Sequence, residues 1–245
     1  MRVRRLLSAL IGLALLAALG IALLALGHRR PQDLPWTPLD PGDPVGLFTG
    51  RKLTALRADA PLCRTLLGRA GIGYTRLPDR KDGPACGYDD GVRVATEGPL
   101  GIAYRPAVGA SCAVAVSLAV WEWHVVQPAA RRLLGTRVAA IENFGTYNCR
   151  QIGGGRRADA SANWSEHASA NAVDIAGFRL ADGRRITVAR DWTGTGPDAA
   201  FLRAVRDGAC DLFATTLSPD YNAAHRDHLH LDQAARGAAS WRACR

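Results

Sequence analysis

The sequence has very little lysine and methionine, few aromatic residues and a single long hydrophobic run. Lys52 and Lys81 are its only lysines, one methionine is present, and aromatic residues make up 7% of the 245 positions. No block of basic residues with interleaved aromatics occurs, which argues against nucleic-acid binding. Because 48% of the residues are hydrophobic, the chain can build a core, and its length suits one good-sized domain plus an appendage.

Acidic residues are missing from the first thirty positions, where five arginines lie. Subtracting these five charges from the net charge of +9 leaves +4 for the remainder of the chain. The remainder is therefore only mildly basic. Such a balance suits an anionic polymer, for example the cell wall, or a lipid surface.

The one long hydrophobic run, Leu6–Gly27, contains 22 residues and no charge. A helix of this length spans a bilayer core of about 30 Å. A buried core helix is excluded because the run has no polar face to meet water, whereas a cleaved signal usually has a shorter apolar stretch. We therefore predict a signal anchor within residues 1–30, with cleavage of the segment as the alternative.

The six cysteines include no close C-x-x-C pair, which argues against a zinc ribbon or a thioredoxin motif. All of them follow the hydrophobic run, and dispersed cysteines in an exported domain indicate disulfides in an oxidising compartment. Six cysteines allow fifteen pairings, and spacing does not choose among them. We expect neighbours in sequence to pair, as Cys63–Cys86, Cys112–Cys149 and Cys210–Cys244.

Residues 31–45 hold five prolines and predict an extended linker before a domain of residues 46–245. Helices are predicted over 62–70, 112–134 and 197–213. Strands are predicted over 73–77, 92–95, 138–144, 172–178, 184–188 and 225–231, with Asp182-Gly183 as a hairpin turn. This order predicts an α+β fold in which helices pack around a small antiparallel sheet.

Two histidine clusters offer metal-binding chemistry. His167 lies seven residues before Asp174, and His225, His228 and His230 fall within six residues. On one helix His167 and Asp174 would be about 10.5 Å apart, too far to share an ion, so His167 must come from a loop or turn before a strand that carries Asp174.

For the second cluster, strand periodicity predicts that His228, His230 and Asp232 lie on one face. One histidine could then bind a metal while the other acts as a base in the same cleft. A helix would instead pair Asp227 with His230. The strand interpretation favours His228 over Asp227 for the catalytic role.

The sequence resembles the extensin-like C-terminal domain family of bacterial envelope proteins over roughly Cys63 to Arg245. The resemblance rests on four motifs: Cys86-Gly87, Gly145-Thr-Tyr-Asn-Cys-Arg150, Ser165-Glu-His-Ala-Ser-Ala-Asn-Ala-Val-Asp174, and Tyr221-Asn222 leading into His225-Arg-Asp-His-Leu-His230. The histidine motifs in turn resemble those of D-Ala-D-Ala and lysostaphin-type zinc peptidases, which cut peptidoglycan.

The resemblance implies a D-Ala-D-Ala metallopeptidase-like fold and a Zn²⁺ ion. Its ligands would be His167, Asp174 and His230. The catalytic residues would be His228, Asp227 as a reserve base, and Arg150 for a substrate carboxylate or an oxyanion. The sequence departs from the peptidases at Ala170, where they prefer glycine.

The expected function is that of a zinc-dependent peptidoglycan peptidase. It would be anchored in the inner (cytoplasmic) membrane by one span, with its C-terminal domain in the periplasm. A cell-wall-binding module without catalysis is the first alternative. A structural protein held by disulfides, without a metal, is the second.

Overall fold

The computed structural model describes residues 2–95, 102–153, 163–237 and 241–245. The helices of the described residues are α1 (Arg2–Arg29), α2 (Thr49–Ala55), α3 (Ala60–Arg69), α4 (Cys112–Trp121), α5 (Gln127–Leu134), α6 (Val188–Asp191) and α7 (Pro197–Cys210). The strands are β1 (Tyr74–Arg76), β2 (Arg80–Gly83), β3 (Cys86–Tyr88), β4 (Gly91–Val94), β5 (Ala103–Arg105), β6 (Gly109–Ser111), β7 (Val138–Asn143), β8 (Ala172–Leu180), β9 (Arg185–Thr187), β10 (Thr215–Leu217), β11 (Leu229–Asp232) and β12 (Ala243–Cys244). The predicted α+β class is confirmed.

The largest sheet has the strand order β12-β10-β11-β8-β7-β5, and β9 pairs with residues 177–179 of β8, past the residues that pair with β11. Most pairings are antiparallel, but β5–β7 and β10–β12 are parallel. Strand β8 is the longest and pairs with β7, β9 and β11. Two smaller sheets, β1-β4-β6 and β2-β3, complete the β structure of the described residues. The strands on either side of β8 are therefore held in a fixed register along its length.

The core lies between this sheet and the helices α4, α5 and α7. Every residue of α4 is buried, in keeping with its uninterrupted apolar sequence. Phe178 of β8 contacts Trp121 at the end of α4 and Phe201 of α7, with ring centroids 6.0 and 5.0 Å apart. The predicted helix over 112–134 is present with one change, a π-helical turn at Glu122–Val126 between α4 and α5. Gly135 ends it in the left-handed conformation (φ 69°), which glycine commonly adopts at the end of a helix.

Helix α1 is long and apolar enough to cross a membrane: the 27-residue stretch Val3–Arg29 contains an 18-residue window with a mean hydropathy of 2.7. None of that window is buried inside the protein, so the apolar side chains of α1 face outwards. The helix therefore suits either a single membrane anchor or a signal sequence.

The proline-rich segment is not the extended linker that its composition predicts. Residues Pro31–Asp33 form a 3₁₀ helix, and the side chain of Gln32 is buried. Lys52 of α2 donates hydrogen bonds to the Pro31 carbonyl and to Gln32 Oε1, at 3.2 and 3.0 Å. The His124 ring lies 3.0 Å from the Pro41 carbonyl oxygen. Specific polar contacts with the domain therefore override the preference of proline for an extended chain.

Three disulfides join the six cysteines, and two of the three expected pairs are wrong. The bridges are Cys63–Cys112, Cys86–Cys149 and Cys210–Cys244, of which only the last was expected. Cys63 on α3 meets the first residue of α4, and their Cα atoms lie 6.0 Å apart, within the range that a bridge requires. These two cysteines pair because α3 packs against α4, although they are far apart in sequence. The bridges are typical of a domain that faces an oxidising space.

The bridge pattern predicts a measurable stability difference. Removal of Cys63–Cys112, which links positions 49 residues apart, should lower the free energy of unfolding by about 4 kcal/mol because the unfolded chain gains freedom. A Cys63→Ala/Cys112→Ala double variant is compared with the wild type in urea unfolding. Peptide mapping without reductant supplies the control for the pairing. Recovery of a Cys63–Cys86 peptide from correctly exported protein would contradict the structure.

Candidate metal centre

The pairing of β8 with β11 positions two side chains of the candidate site. His230 of β11 is directly opposite Asp174 of β8 in an antiparallel register. Directly opposite residues of such a pair have Cβ atoms about 4.5–5.5 Å apart, so their side chains meet on one face of the sheet. The backbone of Asp174 is fixed on its other side, because its carbonyl accepts from Phe144 N–H and its N–H donates to the Gly145 carbonyl.

The third side chain comes from a tight turn. Residues Glu166–Ser169 form a 3₁₀ helix whose first N–H groups are capped by Ser165, and the Ser165 hydroxyl accepts from His167 N–H. Ala170 ends this helix in the left-handed conformation (φ 53°, ψ 22°) and turns the chain into β8. The prediction that His167 reaches the site from a turn before the strand is confirmed.

Three ligand-type atoms converge at this point. His167 Nε2 lies 3.2 Å from Asp174 Oδ1 and 3.2 Å from His230 Nδ1, and His230 Nδ1 lies 3.0 Å from Asp174 Oδ1. Ligands about 2.0–2.1 Å from a tetrahedral zinc ion are about 3.3 Å apart, close to these separations. His167 and His230 are buried and Asp174 is half-buried, so the group can enclose a small cation.

The hydrogen-bond partners of the outer ring nitrogens determine which nitrogen of each histidine carries the proton. His167 Nδ1 lies 2.9 Å from the Thr146 carbonyl, and His230 Nε2 lies 3.0 Å from Asp232 Oδ2. A carbonyl oxygen only accepts, and so does an ionised carboxylate, so each outer nitrogen carries the proton. In the neutral imidazoles His167 Nε2 and His230 Nδ1 then present lone pairs to each other and to Asp174. Such a group is stable only with a cation, either a metal ion or a proton.

The electrostatics show how strongly the group attracts positive charge. Burial acts to raise the pKa of Asp174, but hydrogen bonds from His167 and His230 outweigh it and hold this pKa far below its ordinary value. Burial acts to lower the pKa of His230, but its bonds to Asp174 and Asp232 raise it to about 9. Without a metal, His230 therefore holds a proton on both ring nitrogens at neutral pH.

The side chain of His228 lies beside this cluster. Its Nδ1 is 2.9 Å from Asp227 Oδ1 and its Nε2 is 3.6 Å from Asp174 Oδ1. Strand β11 begins only at Leu229, so His228 occupies the turn before the strand and the predicted strand over 225–231 is too long. The strand interpretation of His230 and Asp232 is confirmed, and the helical alternative is wrong. Asp227 contacts His228, and its own side chain is 39% exposed.

His225 and Arg150 lie on the same side of the site. The His225 ring centroid is 5.2 Å from that of His228 and 6.0 Å from that of His230. Burial, followed by the charges of His228 and His230, lowers the pKa of His225 to about 4, and the charge of Arg150 acts in the same direction. No role for His225 was predicted, although the presence of three histidines within six residues was a signal for one.

Comparison with known proteins identifies one relationship. The family described as Extensin-like protein C-terminus matches residues 61–245, about three quarters of the chain. No curated protein and no solved structure matches the chain.

Ala170 is the one non-glycine residue with a positive φ in the described part of the chain. We therefore predict that replacement by glycine changes stability differently at Ala170 and at Ala172. Ala170 and Ala172 are both fully buried, so Ala→Gly at either position removes a buried methyl and frees the unfolded chain. Only Ala170→Gly also relieves left-handed strain, which costs an L-residue about 1–2 kcal/mol. Ala172→Gly should therefore destabilise the protein by about 1–2 kcal/mol more than Ala170→Gly in urea unfolding. Equal losses would show that the turn at Ala170 is unstrained.

Proposed function

The chain belongs to the extensin-like protein C-terminus family, and we propose that its domain is a zinc-dependent peptidase that cleaves peptidoglycan peptides. The observation that carries the proposal is the convergence of His167 Nε2, Asp174 Oδ1 and His230 Nδ1 within 3.0–3.2 Å of one another. Two imidazoles and one carboxylate form a ligand set typical of catalytic zinc sites, which leave a further position open.

The proposed metal fits the residues that would hold it. The inner atoms of His167, Asp174 and His230 are lone-pair donors, and outer partners of the kind that orient zinc-bound histidines fix both rings. Zinc bound by these residues would polarise a peptide carbonyl and acidify a water molecule. The same ligand set also suits Fe²⁺, so metal analysis should quantify both elements.

His228 is the proposed general base and acid. Its Nε2 lies beside the ligand cluster, and its side chain is 13% exposed, so substrate can reach it. Asp227 accepts a hydrogen bond from His228 Nδ1–H at 2.9 Å and thereby directs the Nε2 lone pair towards the cluster. This carboxylate–imidazole pair resembles the arrangement by which hydrolases fix the tautomer of a catalytic histidine. Asp227 is accordingly a positioning residue in this scheme.

Arg150 is the proposed anchor for a substrate carboxylate or for the negative charge that develops on the carbonyl oxygen. It follows Cys149, whose bridge to Cys86 on β3 fixes this part of the chain. The ring of Phe144 is 61% exposed and makes an edge contact with His228, so it offers an apolar wall beside the proposed base. Peptidoglycan peptides carry free carboxylates and small apolar side chains, which Arg150 and Phe144 would contact.

The cellular location that we propose follows from α1 and the disulfides. An uncleaved α1 would anchor the protein by a single span in the inner membrane, and its three bridges suit a domain in the periplasm. This placement would bring the candidate site to the side of the membrane where peptidoglycan lies.

A second candidate function is a cell-wall-binding module that retains the metal site but does not hydrolyse its ligand. The left-handed Ala170 favours this alternative, because the zinc peptidases that the motifs resemble prefer glycine there. Strain next to His167 would impair catalysis more readily than metal binding, since catalysis depends on smaller displacements.

Metal analysis of single variants tests the ligand set. We expect about one zinc per chain in the full-length protein. His167→Ala, Asp174→Asn and His230→Ala should each lose most of it, because two protein ligands hold zinc poorly. His124→Ala is the matched control, since this histidine contacts the Pro41 carbonyl away from the site. Zinc retained in all three ligand variants would refute the proposed site, provided that thermal melting shows them folded.

Kinetic analysis on purified peptidoglycan tests catalysis separately. His228→Ala should keep its zinc and lower kcat by about 10²–10⁴-fold, the usual contribution of a positioned acid or base. Because Asp227 acts through His228, adding Asp227→Asn to His228→Ala should cause little further loss. Arg150→Ala should mainly raise KM. A zinc-loaded wild type that releases no new amino termini would favour the binding module instead.

A further inference from the structure

One cavity of the domain is rich in arginine, and its described lining residues include no histidine. It has a volume of about 280 Å³ and lies between α2 and the segment that follows β11. We call it the arginine pocket; its walls include Arg51, Arg57, Arg236, Arg242 and Trp241. Alanines and a glycine form much of the remaining lining and leave the cavity open, and the described lining residues include no acidic side chain.

Two of the arginines are held in place by the protein itself. Arg236 donates to the Ala214 carbonyl at 2.8 Å and to Thr215 Oγ1, and its guanidinium lies 4.4 Å from the Trp241 ring centroid. Arg242 donates to the Asp211 carbonyl, and its guanidinium packs directly over Gly50 of α2. A Cβ at position 50 would lie only 2.2–2.4 Å from the atoms of that guanidinium. The absence of a side chain at Gly50 therefore creates the place for Arg242.

The positive charge of the pocket is neutralised only in part by the described residues around it. Among the described residues, Arg57 is the one lining arginine with an ion pair, to Glu166 at 3.5 Å. Burial lowers the pKa of Arg242, and the charge of Arg51 lowers it further although Asp211 opposes the effect. Arginine nevertheless stays protonated in proteins. Several fixed guanidinium groups that converge on one cavity repel each other unless an anion lies between them.

The pocket lies close to the end of α1. The lining residue Arg51 is followed by Lys52, which donates a hydrogen bond to the carbonyl of Pro31. Pro31 lies two residues after Arg29, the last residue of α1. The intervening segment exposes Trp36 (66%) and Leu47 (80%), the kind of side chain that enters a membrane interface. The polar layer on each side of a bilayer is about 5–8 Å thick, so a pocket this near the end of a span can meet lipid headgroups.

From this geometry we infer that the arginine pocket binds the phosphate headgroup of an anionic phospholipid from the leaflet in which α1 ends. Guanidinium groups bind phosphate oxygens in pairs, and Trp241 supplies an apolar wall for the glycerol backbone. The inference depends on α1 as an uncleaved anchor but not on zinc or catalysis. A bound headgroup would hold the domain against the membrane.

Native mass spectrometry of the full-length protein in detergent tests this binding directly. Phosphatidylglycerol is titrated in, with phosphatidylcholine as the neutral lipid and glycerol 3-phosphate as the soluble probe. We expect one phosphatidylglycerol to bind at least about tenfold more tightly than phosphatidylcholine. Arg51→Gln, which removes one charged hydrogen-bond donor, should weaken this binding about tenfold.

Gly50→Ala separates the shape of the pocket from its charge. It displaces the Arg242 guanidinium but leaves every charge in place, and alanine favours the helix at this position. We expect it to weaken phosphatidylglycerol binding as clearly as Arg51→Gln. Arg131→Gln on the exposed side of α5 is the matched charge control and should bind like the wild type.

Two results would overturn the inference. Wild-type lipid binding in both Arg51→Gln and Gly50→Ala would show that the pocket is not the site. Binding of glycerol 3-phosphate without any preference for phosphatidylglycerol would reject a lipid as the source of the phosphate. Zinc content and retention in carbonate-washed membranes, measured on the same preparations, keep these failures distinct from failure of the metal site or of the anchor.

Discussion

The structure around the candidate site depends on the inward direction of three lone pairs. The Thr146 carbonyl and the Asp232 carboxylate bind the outer nitrogens of His167 and His230, so in the neutral rings the inner nitrogens direct lone pairs towards Asp174. In a buried setting such a group is costly unless positive charge occupies its centre. The register of β8 with β11, the cap at Ser165 and the left-handed turn at Ala170 all serve to bring these atoms together. In the function that we propose, His228 would supply the base beside this site and Arg150 would bind negative charge.

The turn at Ala170 shows how the remainder of the fold supports this arrangement. A strained residue persists only where its surroundings determine its conformation. Here Asn171 provides that constraint: its N–H donates to the Glu166 carbonyl, and its side-chain amide oxygen accepts from Ser111 at 2.9 Å. Ser111 also caps α4, the most deeply buried helix, which the Cys63–Cys112 bridge ties to α3. The position of His167 is thus linked to the hydrophobic core and to a disulfide through a short series of buried contacts.

Local patterns in the sequence predicted most of what forms locally. Alternation around Asp174 indicated β8, the Asp182-Gly183 pair indicated its hairpin with β9, and the spacing of His167 from Asp174 required a turn between them. Features set by tertiary contacts were not predictable in this way. Cys63 pairs with Cys112 because two helices pack together, and the proline-rich segment docks because Lys52 reaches its carbonyls. His225 and the arginine pocket were missed because their significance depends on residues distant in sequence.

The most direct test of the cation site is a crystal structure of the full-length protein with anomalous scattering recorded on both sides of the zinc absorption edge. The account predicts one anomalous peak at the centre of the group, about 2.0–2.2 Å from His167 Nε2, Asp174 Oδ1 and His230 Nδ1. The two outer hydrogen bonds, to the Thr146 carbonyl and to Asp232, should remain in place. A zinc-soaked crystal with no peak there, or with either ring turned so that its other nitrogen faces Asp174, would contradict it.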